Sequence, residues 1–219
     1  NLSDVDHFVH GATVVLNALI ERKLPPTALV TTAGFRDVLE IMRTNNPYMY
    51  DLKWVKPKPL IPRNLRFEVK ERVRHTGEVW EKLDEEGTRK LSRKIKNLNI
   101  NTVAVCFLHS YANPAHEKRF CEVFLEEHPS CVMVRSSDVA PEIREFERTS
   151  TAVINASTVP IITSYLDELN NDLSQRGLSR ELYVMQSNGG IISAITARDY
   201  PARTVMSGPS GGVVGAQFL

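Results

Sequence analysis

Thr102-Val-Ala-Val-Cys-Phe-Leu108 is nearly all apolar; after it come Asn113-Pro114, a helix-like stretch through about Glu127, and Val132-Met-Val134. A strand that reads as one unbroken apolar run is covered on both faces, as the strands of a parallel sheet are. Asn113 is a good N-cap, and Pro114 suits a first helical turn, where its missing N–H costs nothing. Strand, helix and strand at this spacing form a parallel α/β unit, which sets the fold class as α/β, with mixed sheets and flanking helices.

The same pattern recurs on both sides. Upstream, Asp4 or Asp6 is expected to cap a helix through about Lys23, with Val9, Ala12, Leu16, Leu19 and Ile20 on one face and Pro25-Pro26 as its stop. Ala28–Thr32 reads as a β-branched strand, Gly34 as a turn and Phe35–Arg43 as a helix. Residues 45–63, rich in proline and aromatics, read as an irregular excursion. Leu65, Phe67, Val69 and Val73 alternate with charged residues and, with the turn at His75-Thr76-Gly77, predict a half-exposed hairpin. Asp84 caps a helix whose first turn holds Glu85 and Glu86 and whose later turns hold Arg93, Lys94 and Lys96, a charge order that suits the helix dipole. That basic run reads as a solvated face.

Downstream, a long helix is expected from about Glu142 to Gly177, kinked or split by Pro160. Leu182–Gln186 reads as a strand, Ser187-Asn188-Gly189-Gly190 as a turn, and Arg203–Met206 as a last strand entering Ser207-Gly-Pro-Ser-Gly-Gly212. A boundary is expected near residues 138–160, giving regions 1–140 and 141–219.

Composition narrows the function classes. The chain has 219 residues, 42% hydrophobic and 24% charged, with a net charge of +1 and three cysteines. This length can bury a substantial core. Near-neutral charge argues against a nucleic-acid binder, whose affinity rests on clustered cations. No apolar run approaches the roughly 20 residues that span a bilayer. Sparse cysteines and the lack of a signal-like start set the expectation of a reduced, cytoplasmic protein.

Cys106, His109, His116, Cys121, His128 and Cys131 do not have zinc spacing, since structural zinc draws on compact ligand pairs; no metal ligands and no catalytic residues are assigned. Three turns that follow strands are better candidates: Thr31–Gly34, Gln186–Gly190 with Ser187 and Asn188, and Ser207–Gly212. In open α/β sheets ligands gather at the carboxyl ends of strands. Glycines that precede a helix can let backbone N–H groups close on a phosphate, or can mark only a turn and close helix packing. Arg144, Glu145, Glu147 and Arg148 crowd one turn and a half. If Arg144 and Arg148 stack at i,i+4, their repulsion calls for an anionic ligand or a buried carboxylate; solvation by neighbouring glutamates is the other reading.

Taken together, HGATVVLNALIERK (10–23), ALVTTAGFRDVLEI (28–41), YDL (50–52), VAVCFLHSYANPAHE (103–117), SSDVAPEIREFERTSTAVINA (136–156), VMQSNGGI (184–191) and RTVMSGPSGGVVGA (203–216) resemble the hydantoinase A/5-oxoprolinase family. The resemblance implies an actin/hexokinase/Hsp70-like, ribonuclease-H-like architecture. It also implies ATP, with Mg²⁺, activating a cyclic amide or ketone carbonyl by phosphorylation before ring opening or carboxylation. A companion hydantoinase B-type subunit or domain is the implied partner. Carried onto this sequence, Ser207, Gly208, Gly211 and Gly212 would face phosphate. His10, Thr13, Asn17, Arg144, Glu145, Arg148, Ser187 and Asn188 would face the cleft or substrate. The family's two Asp-Gly-Gly-Thr-type strands are not in this sequence, so the chain is expected to be an internal fragment, inactive or nearly so alone. A non-catalytic docking scaffold is the alternative.

Overall fold

A computed structural model describes residue 2, residues 5–43, residue 48 and residues 50–217. The chain divides into two compact units, residues 26–156 and residues 1–25 together with 157–219. In chain order the first elements are β1 (Phe8–His10), α1 (Val14–Glu21), β2 (Ala28–Thr32) and α2 (Val38–Ile41). Next come β3 (Arg66–Val69), β4 (Arg72–Val73), β5 (Val79–Glu81), α3 (Glu85–Asn97) and β6 (Thr102–Cys106). Then follow α4 (Ala115–Glu127), β7 (Val132–Arg135), α5 (Ser136–Val139) and α6 (Glu145–Gln175). β8 (Leu182–Met185), β9 (Ile191–Ser193), α7 (Ala194–Asp199) and α8 (Ser207–Ala216) complete the chain.

In residues 26–156 a fully parallel sheet has the order β3-β2-β6-β7. Val30 lies between Phe67 on one side and Val105 on the other. Every residue of β2 and of β6 is buried, the physical counterpart of their unbroken apolar sequences. Val30, Phe67, Ile95, Val105, Phe120 and Phe124 meet in the core. The Phe107 and Phe120 rings add an edge-to-face contact at 5.4 Å. Asp84 caps α3 as expected, its carboxylate accepting from Gly87 N–H. At α4 the N-cap is Pro114 rather than Asn113, whose side-chain oxygen accepts from Ala115 N–H just ahead of the helix.

Two buried carboxylates tie the loops at the carboxyl edge of this sheet. Glu117 accepts from Phe107 N–H at 2.9 Å, from the Ser136 hydroxyl at 2.6 Å and from Ser137 N–H at 2.9 Å. Its charge therefore sits among donors rather than in an apolar void. Glu71 takes the Thr32 hydroxyl on one oxygen and pairs with His116 Nδ1 at 2.7 Å on the other. Thr32 Oγ1 in turn accepts from Leu108 N–H. These links join the ends of β2, β3 and β6.

In the unit of residues 1–25 and 157–219 the sheet order is β1-β8-β9, with β1 parallel and β9 antiparallel to β8. Its core gathers Val15, Ile162, Leu166, Leu182, Val184 and Ala197. The two units divide the chain inside α6, between Ala156 and Ser157.

Several local expectations are corrected. The first helix is shorter than its periodicity suggests: Phe8–His10 is a strand because it pairs with Leu182–Val184, and the helix begins only at Val14. Asp4 lies outside the described residues, as do residues 44–47 and 49 of the excursion. Phe35–Arg43 is helical only over Val38–Ile41. Arg66–Val69 leaves the expected hairpin to join the parallel sheet, and β4 pairs with β5 instead. Pro160 lies within α6 without ending it, Arg203–Met206 is no strand, since Pro201–Thr204 forms a 3-10 turn, and Ser207–Gly212 is no turn ahead of a helix, since α8 itself begins at Ser207. That turn starts on Pro201, whose fixed φ favours a helical first turn.

Replacing Glu117 with Ala is expected to remove about 3–5 kcal/mol of stability, because three donors are left buried without an acceptor. Urea unfolding of the variant beside the parent, with equal m values, measures it.

Candidate functional site

In the unit of residues 1–25 and 157–219, three turns come together where the parallel strands β1 and β8 end. They are Gly11–Thr13 after β1, Gln186–Gly190 after β8, and the start of α8. Ser207 is fully buried, and its hydroxyl is occupied on both sides: it accepts from Ala12 N–H at 3.2 Å and donates to Ala12 C=O at 2.7 Å. A Cβ on Gly11 would stand 3.3 Å from Ser207 O, and one on Gly208 would stand 2.9 Å from the Thr13 methyl. Both glycines are thus explained by the close approach of the two turns.

Ser187 laces the second turn to the third. Its hydroxyl donates to Arg203 C=O at 2.8 Å and accepts from Met206 N–H at 3.0 Å, while the Ser210 hydroxyl donates to Ser187 C=O at 2.7 Å. Asn188 closes its own turn by accepting from Gly190 N–H at 3.0 Å, with Gly189 in the left-handed region at φ +85°. Gly211 and Gly212 differ from these. The nearest atom to a Cβ on Gly211 is 4.0 Å away, and Gly212 has nothing within 4 Å. No packing within the described residues requires glycine there.

His10 ends β1 half-buried and shares a 2.6 Å hydrogen bond with the Tyr165 hydroxyl. Burial lowers the imidazole pKa and raises that of the phenol, so the pair is neutral near pH 7. Thr13 and Asn17 lie one helical turn apart on an exposed face, with Asn17 Nδ2 3.4 Å from Thr13 Oγ1. Of the residues singled out from the sequence, the structure therefore brings Ser207, Gly208, Ser187, Asn188 and Thr13 into one laced group. Sequence reasoning misses Gly11 and Ala12, and names Ser210 only as a member of the third turn; Gly11, read as helix interior, is the available signal.

Arg144, Glu145 and Arg148 belong to residues 26–156. Arg144 does not stack on Arg148. It lies outside α6 with φ +81°, exposed, and only its carbonyl meets the Arg148 N–H. Arg148 turns inward instead, 1% exposed, donating to Glu142 C=O at 2.8 Å and Phe107 C=O at 2.9 Å and lying over the Tyr111 ring. The charge crowding expected from spacing is thus relieved by backbone geometry. All three thiols are buried. Burial raises the Cys106 pKa and pushes Cys121 and Cys131 up to about 12, which leaves no nucleophilic thiolate at neutral pH. Among the described residues no group of three or more His, Cys, Asp or Glu could hold a metal ion, and no helix is long and apolar enough to cross a membrane.

Comparison with known proteins places these features in context. Residues 1–128 match the hydantoinase/oxoprolinase N-terminal region, and residues 148–219 match hydantoinase/oxoprolinase. An uncharacterized protein of Methanocaldococcus jannaschii is 39% identical over 218 residues, which is 98% of this chain and 32% of that protein. Caprolactamase subunit alpha of Pseudomonas jessenii is 30% identical over 211 residues, covering 95% and 30%. The crystal structure of the ATP-dependent caprolactamase from Pseudomonas jessenii superposes with a TM-score of 0.89 at 30% identity, over 95% of this chain and 30% of that one. Nucleotide-free acetone carboxylase, solved in work on ATP-dependent acetone carboxylation, gives 0.87 at 29%, over 99% and 32%. The chain spans about a third of the length of these proteins. The mixed α/β architecture read from the sequence, part of an actin-like ATPase-type fold, is the one it shares with both solved structures.

Changing Gly208 to Ala is expected to cost about 1–3 kcal/mol, because the new methyl must displace Thr13. Gly212→Ala, in open space on a helix, is expected to be neutral or to stabilise by up to about 1 kcal/mol. Thermal unfolding of the two variants side by side tests whether packing or something else accounts for each glycine.

Proposed function

Because this chain belongs to the hydantoinase/oxoprolinase family, we propose that its protein uses ATP to activate the carbonyl of a small cyclic amide, or of a ketone, for ring-opening hydrolysis or carboxylation. What supports this reading above all is the laced group of three turns at the carboxyl ends of β1 and β8, capped by glycines whose faces are open.

Ser207 and Gly208 hold the turn against Ala12 and Thr13 and so fix where α8 begins. Gly211 and Gly212 lie in the second turn of α8, where their missing side chains leave the helix surface open beside its N-terminus, the end that favours an anion. Ser187 and Asn188 set the height of the neighbouring turn, and Thr13, Asn17 and the neutral imidazole of His10 form the polar flank. These residues fit a phosphate-bearing ligand, since the space a Cβ would fill is empty at Gly212. ATP bound there would supply a phosphoryl group able to convert a carbonyl oxygen into a better leaving group. Among the described residues no group of three or more His, Cys, Asp or Glu could hold a metal ion, so Mg²⁺ enters the proposal as the companion of the nucleotide's own phosphates. A companion subunit is part of the proposal, supported by the naming of the caprolactamase relative as a subunit.

In the full-length protein, Gly211→Val and Gly212→Val are expected to weaken Mg-ATP binding about tenfold or more by calorimetry, equivalent to roughly 1.4 kcal/mol, with the melting temperature held within a few degrees. ATP hydrolysis stimulated by a lactam, hydantoin or ketone is the expected activity. Unchanged Mg-ATP affinity in both variants, or no ATP turnover with any of these substrates when the companion subunit is present, would overturn the reading.

A further inference from the structure

The parallel sheet of residues 26–156 reverses its strand order between β2 and β6, since the chain leaves β2 for β3 on one side and returns to β6 on the other. At such a point an open α/β sheet parts its loops and leaves a crevice at the strands' carboxyl ends. Here the crevice holds a recess of about 10 Å³ between Thr31, Phe35, Cys106, Glu145, Arg148 and Thr149, room for one water-sized group. Phe35, Val38 and Glu145 also wall a pocket of about 290 Å³ that continues past Met42, Arg144 and Phe146. Recess and pocket therefore share a wall, the first narrow and the second wider, and the lining of both is largely apolar. That volume is at the small end of ligand pockets, which run from roughly 300 to 1,000 Å³.

The recess contains a donor whose needs are unmet. Its hydroxyls and thiol are already engaged: Thr31 Oγ1 donates to Phe67 C=O, and Cys106 Sγ and Thr149 Oγ1 lie 3.1 Å apart as a hydrogen-bonded pair. Arg148 Nε is buried without a partner. Among the described residues Arg36, Arg66 and Arg198 also carry an unpartnered buried guanidinium nitrogen, but each has a carboxylate within reach, on Glu68, Glu40 and Asp167 respectively. Arg148 has no carboxylate partner; its two hydrogen bonds end on neutral backbone carbonyls. A buried guanidinium without a counter-charge is costly, and an arriving carboxylate would relieve it. Around the pocket, Glu147 is matched by Arg43 through one oxygen, while its other oxygen is buried without a partner. Arg144 and Arg148 line the same walls as Glu145, whose carboxylate makes no hydrogen bond or ion pair among the described residues.

We propose that this recess and pocket bind a small aliphatic monocarboxylate. One carboxylate oxygen enters the recess to accept from Arg148 Nε–H, Arg144 stands at the rim, and the hydrocarbon lies against Phe35, Val38, Met42 and Phe146. The site is separate from the nucleotide reading above, and its test needs no nucleotide.

The test is calorimetric titration of the full-length protein with hexanoate and with hexanamide, which has the same skeleton without the charge. Hexanoate is expected to bind at about 1 mM or tighter, and hexanamide at least tenfold more weakly. Arg148→Lys is expected to lose about tenfold, because an ammonium cannot reproduce the Nε–H direction. Two further variants keep the test sound if Arg148→Lys unfolds. Val38→Trp fills the pocket and is expected to abolish binding. Glu145→Gln removes the unpaired carboxylate shared by recess and pocket and is expected to tighten hexanoate several-fold, an effect that a purely structural role for this segment would not produce. Equal affinity for the two probes, weaker hexanoate binding in Glu145→Gln, hexanoate binding untouched by Val38→Trp, or no hexanoate binding up to tens of millimolar would each overturn the proposal.

Discussion

The backbone of Phe107 is held from both sides by buried charge. Glu117 accepts from its N–H and Arg148 donates to its C=O, so an anion and a cation that would each be costly alone are coupled through two successive peptide groups of one residue. Much else in residues 26–156 depends on that clamp. Glu117 also fixes Ser136 and Ser137, which sets the turn after β7, and Arg148 fixes Glu142, which sets the entry to α6. The segment after β6 thus cannot shift without releasing the ends of two other elements. A hydrophobic sheet supplies cohesion, but cohesion has no direction; these directed bonds determine how the loops stand at its carboxyl edge.

A similar economy governs the other unit, with neutral groups in place of charges. One serine hydroxyl, that of Ser207, satisfies both backbone groups of Ala12, and another, that of Ser187, bridges Arg203 and Met206. The first places the start of α8 against β1, the second places it against the turn after β8. These hydroxyls are consumed in building the turn, whereas the faces of Gly211 and Gly212 stay open.

How far the amino-acid sequence made this legible depends on the range of the forces involved. β6 is readable because burial on both faces writes itself as a nearly unbroken apolar run, β2 from its β-branched residues, and α3 and α4 because Asp84 and the Asn113-Pro114 pair mark their starts locally. Phe8–His10 was not, since its strand character comes from pairing with Leu182–Val184, far along the chain, and its local pattern suits a helix equally well. Arg66–Val69 was assigned to the wrong partner for the same reason. The glycine and serine turns were visible as candidates, but the division of labour within them was not. That Ser207 faces inward while Gly212 faces outward is a fact of tertiary approach. Arg148 was noticed for its neighbours' charges, whereas its significance lies in a guanidinium nitrogen that no neighbour meets.

The pairing of β1 with β8 also bears on how the protein is made. Residues 26–156 are contiguous and hold a complete sheet, so they can close as they leave the ribosome. β1 emerges earlier but meets β8 only when Leu182–Met185 has been translated, roughly 170 residues later, a delay of about 10–30 s at ordinary elongation rates. For that interval the edge of β1 that later faces β8 lacks that partner, the kind of edge that invites wrong ones. Its brevity, three residues, and its polar end at His10 limit that hazard during biosynthesis.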